Sequence, residues 1–214
     1  MTELINKSGI KSEEELLIKF SHTFTEFQRI DKDLLSLAVR NTNLKAYKLA
    51  FGPAKEVLEE MDTLLMRIAE KVAGSIKDSY RVQQLANEIR IDALHIQALL
   101  PPHIAEESDR RMDTMEALMA REDRNIRKNL EVFAELLKST EDSKYTAAIA
   151  ERYAKFSEIK AQIIKLSREN TNVRSLAISL NEKRKVMLAG QDILASLVQA
   201  IEQEPIYGIP VSPR

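Results

Sequence analysis

Asp92 and His95 stand three residues apart in Arg90-Ile-Asp-Ala-Leu-His95, a spacing that sets a carboxylate and an imidazole on one helix face, as two ligands of one metal ion require. Di-metal bundles repeat a Glu-x-x-His on a second helix and add two further glutamates. Neither His22 nor His103 belongs to such a motif, so no metal is expected. Cysteine is absent from the 214 residues, which removes disulfides, thiolate nucleophiles and zinc fingers. Gly-x-Gly-x-x-Gly, a Walker loop and the Gly-x-Ser-x-Gly elbow are also missing, and no cofactor and no enzymatic activity are expected.

A second set of polar residues is carried by a repeat. Asn41-Thr42-Asn43 returns as Asn170-Thr171-Asn172, and a shift of 129 positions lays Phe20 on Ile149, Phe27 on Phe156, Leu34 on Ile163, Val57 on Val186 and Leu65 on Leu194. The copies cover about 20–68 and 149–197. Apolar positions step by three or four through both, which favours helix running straight through the triplet. On that seam Asn41 and Asn170 face the core. One reading is a register device, a polar residue that fixes alignment at a cost in stability. A second is a polar layer that binds a small ligand between helices. A third makes the triplet a turn, because Asn and Thr favour caps over helix interiors.

The elements that must position these groups are long helices. Five glycines and six prolines are few, and the prolines fall only near 52–53, 101–102 and 204–213, with stretches rich in helix formers between. Residues 1–11 read as an N-terminal extension. Ser12 with Glu15 has the capping-box spacing and starts a first run that reaches about Ala50. Gly52-Pro53 ends or kinks it. A second run over about 54–100 stops at Pro101-Pro102, a third covers about 104–138, and a fourth starts near Lys144 and reaches about Gln203. Residues 204–214 form an irregular tail, with three prolines and a glycine. The reading is all-α: an up-down four-helix bundle of long antiparallel helices with an internal repeat, occupying 12–203. A helix of roughly sixty residues would be about 90 Å long, the length of a rod.

Folding these runs back at Pro102 and near Glu141 brings Asn170 level with Met112, and Met112 level with Asp92. The candidate ligand pocket is therefore Asn170, Asn172, Arg90, Asp92, His95 and Arg111, with Arg110 and Asp113 beside them. The same residues also read as solvated helix faces with salt bridges.

Thirty-two basic residues balance thirty-three acidic ones without a basic run, so no nucleic-acid partner is expected. No segment approaches eighteen consecutive apolar residues and the first residues lack an apolar signal core, so any membrane attachment runs through segments that this stretch lacks.

Tyr153-x-x-Phe156-x-x-Ile159, then Ile163-x-x-Leu166-Ser-Arg-Glu-Asn-Thr-Asn172, then Ser175-Leu-Ala-Ile-Ser-Leu180 resembles the four-helix-bundle sensory modules of bacterial chemoreceptors (methyl-accepting chemotaxis proteins) and related histidine kinases. Phe20 to Leu65 has the same look. The resemblance implies an excised extracytoplasmic (periplasmic) sensor region of an inner-membrane receptor, a homodimer that binds a small molecule or a protein partner and passes helix displacement inward. The arginine and threonine pattern of the amino-acid-binding receptors is not recognised, and no ligand residue is carried over. The alternative is a structural or scaffolding bundle, cytoplasmic, acting through protein contacts.

Overall fold

The computed structural model describes residues 2–73, 78–138 and 141–203, with side chains described within 11–202. All regular structure among them is helical: α1 (Thr2–Arg40), α2 (Thr42–Phe51), α3 (Pro53–Lys71), α4 (Ser79–Ala105), α5 (Asp109–Leu137), α6 (Ser143–Glu169), α7 (Thr171–Ile178), a π-helical turn (Ser179–Lys183) and α8 (Arg184–Gln203). The all-α bundle expected from the repeat is what forms. The chain divides into two compact units, one of residues 40–173 and one of 1–39 with 174–214. The expected irregular tail, 204–214, lies outside the described residues.

In the unit of residues 40–173, α2 and α3 together make one side of a four-helix bundle with α4, α5 and α6 as the others. Met61, Leu65 and Ile68 of α3, Leu85, Ile89 and Ile96 of α4, Met119, Ile126 and Phe133 of α5, and Ile149, Tyr153 and Phe156 of α6 form its continuous core. These recur at steps of three, four or seven, so each helix offers one apolar stripe inward. Burying one such side chain contributes about 1.5–3 kcal/mol, which makes these stripes the main cohesion of the unit. α6 runs antiparallel to α2 and α3, with Thr42 opposite Thr171 and Lys71 opposite Asp142. Arg90 against Asp62 and Gln83 against Ala69 show α4 folding back along α3.

Three boundary expectations are corrected. α1 begins at Thr2, so Ser12 lies within a helix and starts none. The expected second helix is two: α3 ends at Lys71 and α4 starts at Ser79. Pro101-Pro102 does not stop α4, which continues to Ala105 because side chains take up its terminal carbonyls. Gly52-Pro53 ends or kinks the first run as expected, and of the two it is a kink. α2 and α3 pack in succession along α6, Pro53 takes the first helical position, and Gly52 donates to the Lys48 carbonyl. A Cβ at Gly52 would stand 2.9 Å from that carbonyl oxygen, so the kink requires glycine.

In the other unit, α1 and the chain from Arg174 onward run antiparallel: Asp31 binds Lys183, and Thr23 meets Gly190. Lys183 also lies over the Phe27 ring at 5.1 Å. Among its residues with described side chains only Ile30, Ser175 and Gly190 are buried. Phe24, Leu188, Val198 and Ile201 are about half exposed, so this helix pair lacks the covered core that the four-helix unit has. No described helix is long and apolar enough to cross a membrane.

Candidate functional site

The helix does not run through the triplets. Asn41 has φ 49°, ψ 42° and Asn170 φ 50°, ψ 38°, the only non-glycine residues with positive φ among those described. Asparagine tolerates the left-handed region because its short amide bonds locally, and one such residue ends α1 and another ends α6. The chain resumes as helix at the next residue in both copies, so the turn reading also fails: the break is one residue long. It rotates the stripe that follows. Leu44, expected inside, is 49% exposed, whereas Ala46 is fully buried.

The two breaks meet, and their bonds repeat under exchange of the copies. Thr42 N–H donates to Thr171 Oγ1 at 3.1 Å and Thr171 N–H to Thr42 Oγ1 at 3.1 Å. The two hydroxyls are themselves 3.1 Å apart. Asn43 and Asn172 exchange backbone N–H to side-chain Oδ1 bonds of 3.2 Å in both directions. Asn172 Nδ2 reaches Asn41 Oδ1 at 2.8 Å, and Asn43 Nδ2 reaches Asn170 Oδ1 at 2.7 Å. Arg40 pairs with Glu169 at 2.5 Å beside them. These bonds satisfy N–H groups that a helix start leaves without partners. Thr42, Asn43, Asn170 and Thr171 are buried, Asn41 only partly, so the buried seam places belong to Thr42 and Asn43 more than to Asn41.

The knot also closes the end of α4. Asn43 Nδ2 donates to the Ile104 carbonyl at 2.6 Å, Asn170 Nδ2 to the Glu106 carbonyl at 2.8 Å, and Ser167 Oγ to the His103 carbonyl at 2.9 Å. Tyr47 Oη reaches the Pro101 carbonyl at 3.4 Å. His103 itself is fully buried, with Nδ1 2.8 Å from Ser167 Oγ and Nε2 2.8 Å from Glu116 Oε1. Arg168 Nε holds the same Glu116 oxygen at 2.6 Å and binds Asp113. Burial works against ionisation of Glu116, but the Arg168 and His103 bonds outweigh it and leave its carboxyl below the usual range. The polar layer therefore links α2, α4, α5, α6 and α7 with its bonds largely closed.

The remaining candidate residues do not join it. The expected levels assumed a reversal at Pro102. With α4 extending to Ala105, Arg168 does face Asp109 and Asp113, but Asp92 lies level with Glu122, deeper in the bundle. Arg111 pairs with Glu106 at 3.0 Å, next to the carbonyl that Asn170 holds. Arg90 faces the other way and binds Asp62 in an open groove of about 300 Å³ between α3 and α4, lined also by Lys55, Leu58, Glu59 and Gln97.

Asp92 and His95 remain together and gain Glu122 from α5, with one donor atom of each within 4.8 Å of the others. Burial first, then the Glu122 carboxylate, raises Asp92 to about 6. The Arg121 bond, 2.6 Å, keeps Glu122 low. Sequence reasoning missed Glu122, which neighbours Asp92 only once the length of α4 is known.

On α5 and α6, Asp123 accepts from Tyr153 at 2.7 Å, Lys160 at 2.8 Å and Arg127 at 2.8 Å. Burial opposes the charge of Asp123, but those donors prevail and hold its carboxyl well below the ordinary range. Burial, then Asp123, pushes the Tyr153 phenol up.

The family described as "Four helix bundle sensory module for signal transduction" matches residues 79–204, more than half of the chain and all of α4 to α8. No curated protein and no solved structure matches it.

Proposed function

Because the chain belongs to the four-helix-bundle sensory modules for signal transduction, we propose that it is the extracytoplasmic sensory domain of a transmembrane chemotaxis receptor, in which a bound ligand or partner displaces one helix against another. The observation that carries this reading is the reciprocal knot between the triplets. It fixes the register of α2 against α7 and, through Ile104 and Glu106, the end of α4. In this reading a shift at the α4–α5 reversal acts on the knot through the Ile104 and Glu106 carbonyls and opens bonds that are closed here.

The ligand site in this reading is the α3–α4 groove, where Arg90 and Lys55 stand beside apolar Leu58 and Ala93. Both cations are already paired, Arg90 with Asp62 and Lys55 with Glu59, so a small organic acid enters by displacing those carboxylates above the apolar floor. The helix pair of α1 and α8 contributes a homodimer contact: two copies of two half-covered helices supply the four that a bundle needs.

The test is a set of gene fusions. A phosphatase that is active only outside the cytoplasm, inserted after residue 138 of the full-length protein in cells, is expected to be active. Cytoplasmic placement would leave it inactive and would favour the scaffolding alternative. A thermal-shift screen of organic acids completes it: a hit is expected to move the wild-type transition and leave Arg90→Ala unmoved. Equal shifts in both would place the ligand elsewhere.

A further inference from the structure

A buried carboxylate beside a second carboxylate is an expensive arrangement unless positive charge meets it. Glu122 is 6% exposed, and Asp92 faces it from the neighbouring helix. The protein's own compensation falls on Glu122. Arg121, 61% exposed at its side chain, bonds Glu122 from the surface side, and Asn125 Nδ2 reaches the other oxygen at 3.4 Å. Glu88, which adds a further negative charge nearby, is bonded to Asn129 at 3.1 Å. Lys128 lines the adjoining groove with Asn125 and Asn129.

What distinguishes the cluster from ordinary surface acids is the imidazole. His95 lies one helical turn from Asp92, on the same face of α4, and closes a triangle with Glu122. Nitrogen with two carboxylate oxygens is a donor set for zinc and its first-row neighbours, whereas magnesium and calcium take oxygen alone. Ligand atoms at about 2.0–2.2 Å from a tetrahedral ion stand roughly 3.4 Å apart. The donor atoms here all lie within 4.8 Å, so side-chain rotations of about an ångström close them onto one ion. The helices that carry them are packed against each other, which holds the three Cα positions fixed.

We propose that Asp92, His95 and Glu122 bind a single divalent first-row transition ion, with zinc as the probe, between α4 and α5. Three protein ligands leave at least one position open to water or to a ligand atom. The site stands on its own residues and does not depend on the α3–α4 groove as the sensory site. In binding, Arg121 gives up the Glu122 oxygen and turns to solvent, and Asn125 keeps the other.

The test uses the full chain, stripped with a chelator and titrated with Zn²⁺ by calorimetry and by thermal shift. One equivalent of Zn²⁺ is expected to raise the transition temperature, and Mg²⁺ at the same concentration to leave it unmoved. His95→Ala and Glu122→Gln are each expected to weaken Zn²⁺ binding by more than about tenfold, since loss of a direct ligand exceeds the loss of an outer-shell partner. His22→Ala is expected to bind as wild type does. Because His95 is exposed, its alanine variant folds and keeps the test decisive even where Glu122→Gln does not. The visible absorption of bound Co²⁺ reports nitrogen ligation directly and is expected to change in His95→Ala. Failure of the stripped wild type to bind Zn²⁺, or unchanged Zn²⁺ affinity in His95→Ala, overturns the proposal.

Discussion

Thr42 and Thr171 each accept the other's backbone N–H on the side-chain hydroxyl, at 3.1 Å in both directions, inside a layer that water does not reach. The pair thus sits where the two repeat copies exchange. Each hydroxyl serves as acceptor for its opposite number, so replacing either one strands a buried N–H. Thr42→Val and Thr171→Val are each expected to cost about 1–3 kcal/mol. The double variant is expected to cost less than their sum by at least about 0.5 kcal/mol, because the two share one set of bonds. Urea unfolding of the four proteins measures this, and strict additivity would show that the bonds act independently.

The left-handed asparagines set a second expectation, opposite in sign to what a polar residue on an uninterrupted seam implies. There, leucine raises stability. Here a leucine at Asn170 meets a left-handed backbone that costs about 1–2 kcal/mol for a residue without asparagine's local amide bonding, and it removes the bonds to Asn43 and to the Glu106 carbonyl. Asn170→Leu is expected to lower stability by more than about 2 kcal/mol in all. Asn170→Gly keeps the backbone and loses only the bonds, so it falls between wild type and leucine. Asn41→Gly is the mildest, since Asn41 is only partly buried and its side chain accepts from the exchangeable amide of Asn172 at the edge of the layer. Calorimetric melting ranks the three, and a ranking with Asn41→Gly lowest would refute the account.

How much of this was legible follows from which effects are local. Ile149, Tyr153, Phe156 and Ile163 are buried as their spacing implies, because packing in α6 follows the helical period. The triplet was visible as a repeat, yet its conformation was not: apolar spacing reports phase, and a single left-handed residue shifts phase without leaving a gap in the pattern. The equivalent of Gly52-Pro53 in the second copy is Asn181-Glu182, within the π-helical turn. Both copies are thus irregular at the same place, though only one carries a glycine and proline to announce it. Pro101-Pro102 misled in the other direction. The side chains that cap the end of α4 come from Asn43, Tyr47 and Ser167, remote in sequence, and moving that end to Ala105 displaced Asp92 and His95 from the triplet towards Glu122. The Arg40 to Glu169 pair, by contrast, falls at the repeat spacing and was there to be found.

Acid is expected to loosen the α5–α6 contact through Asp123. Its folded-state carboxyl is depressed, so its stabilisation is fully present above the unfolded carboxylate pKa of about 4 and disappears as pH falls through that value towards the lower folded one. Asp123→Asn is expected to cost about 1–3 kcal/mol at neutral pH, from the charged bonds to Lys160 and Arg127, and to flatten the stability profile below pH about 4. Unfolding free energies collected from pH about 2 to 7 test both halves. A variant that lost stability at neutral pH and kept the full acid limb would place that limb on other carboxylates.

The helix pair of α1 and α8 carries the last prediction. Phe24, Val198 and Ile201 are 48%, 53% and 55% exposed, and they recur on a pair whose own seam buries little besides Ile30. Apolar surface of this kind marks a contact face, and a second copy supplies the same surface by rotation about a two-fold axis. Wild type is expected to sediment as a monomer–dimer mixture that shifts to dimer with concentration. Phe24→Glu with Val198→Glu is expected to hold it monomeric, while the melting of the four-helix unit, whose core lies in α2 to α6, stays unchanged. Since each glutamate would be desolvated twice in a symmetric interface, once per copy, the doubled cost makes the effect on dimerisation larger than a one-sided contact would give. Monomeric sedimentation of wild type at every concentration would remove the second copy as the occupant of this face.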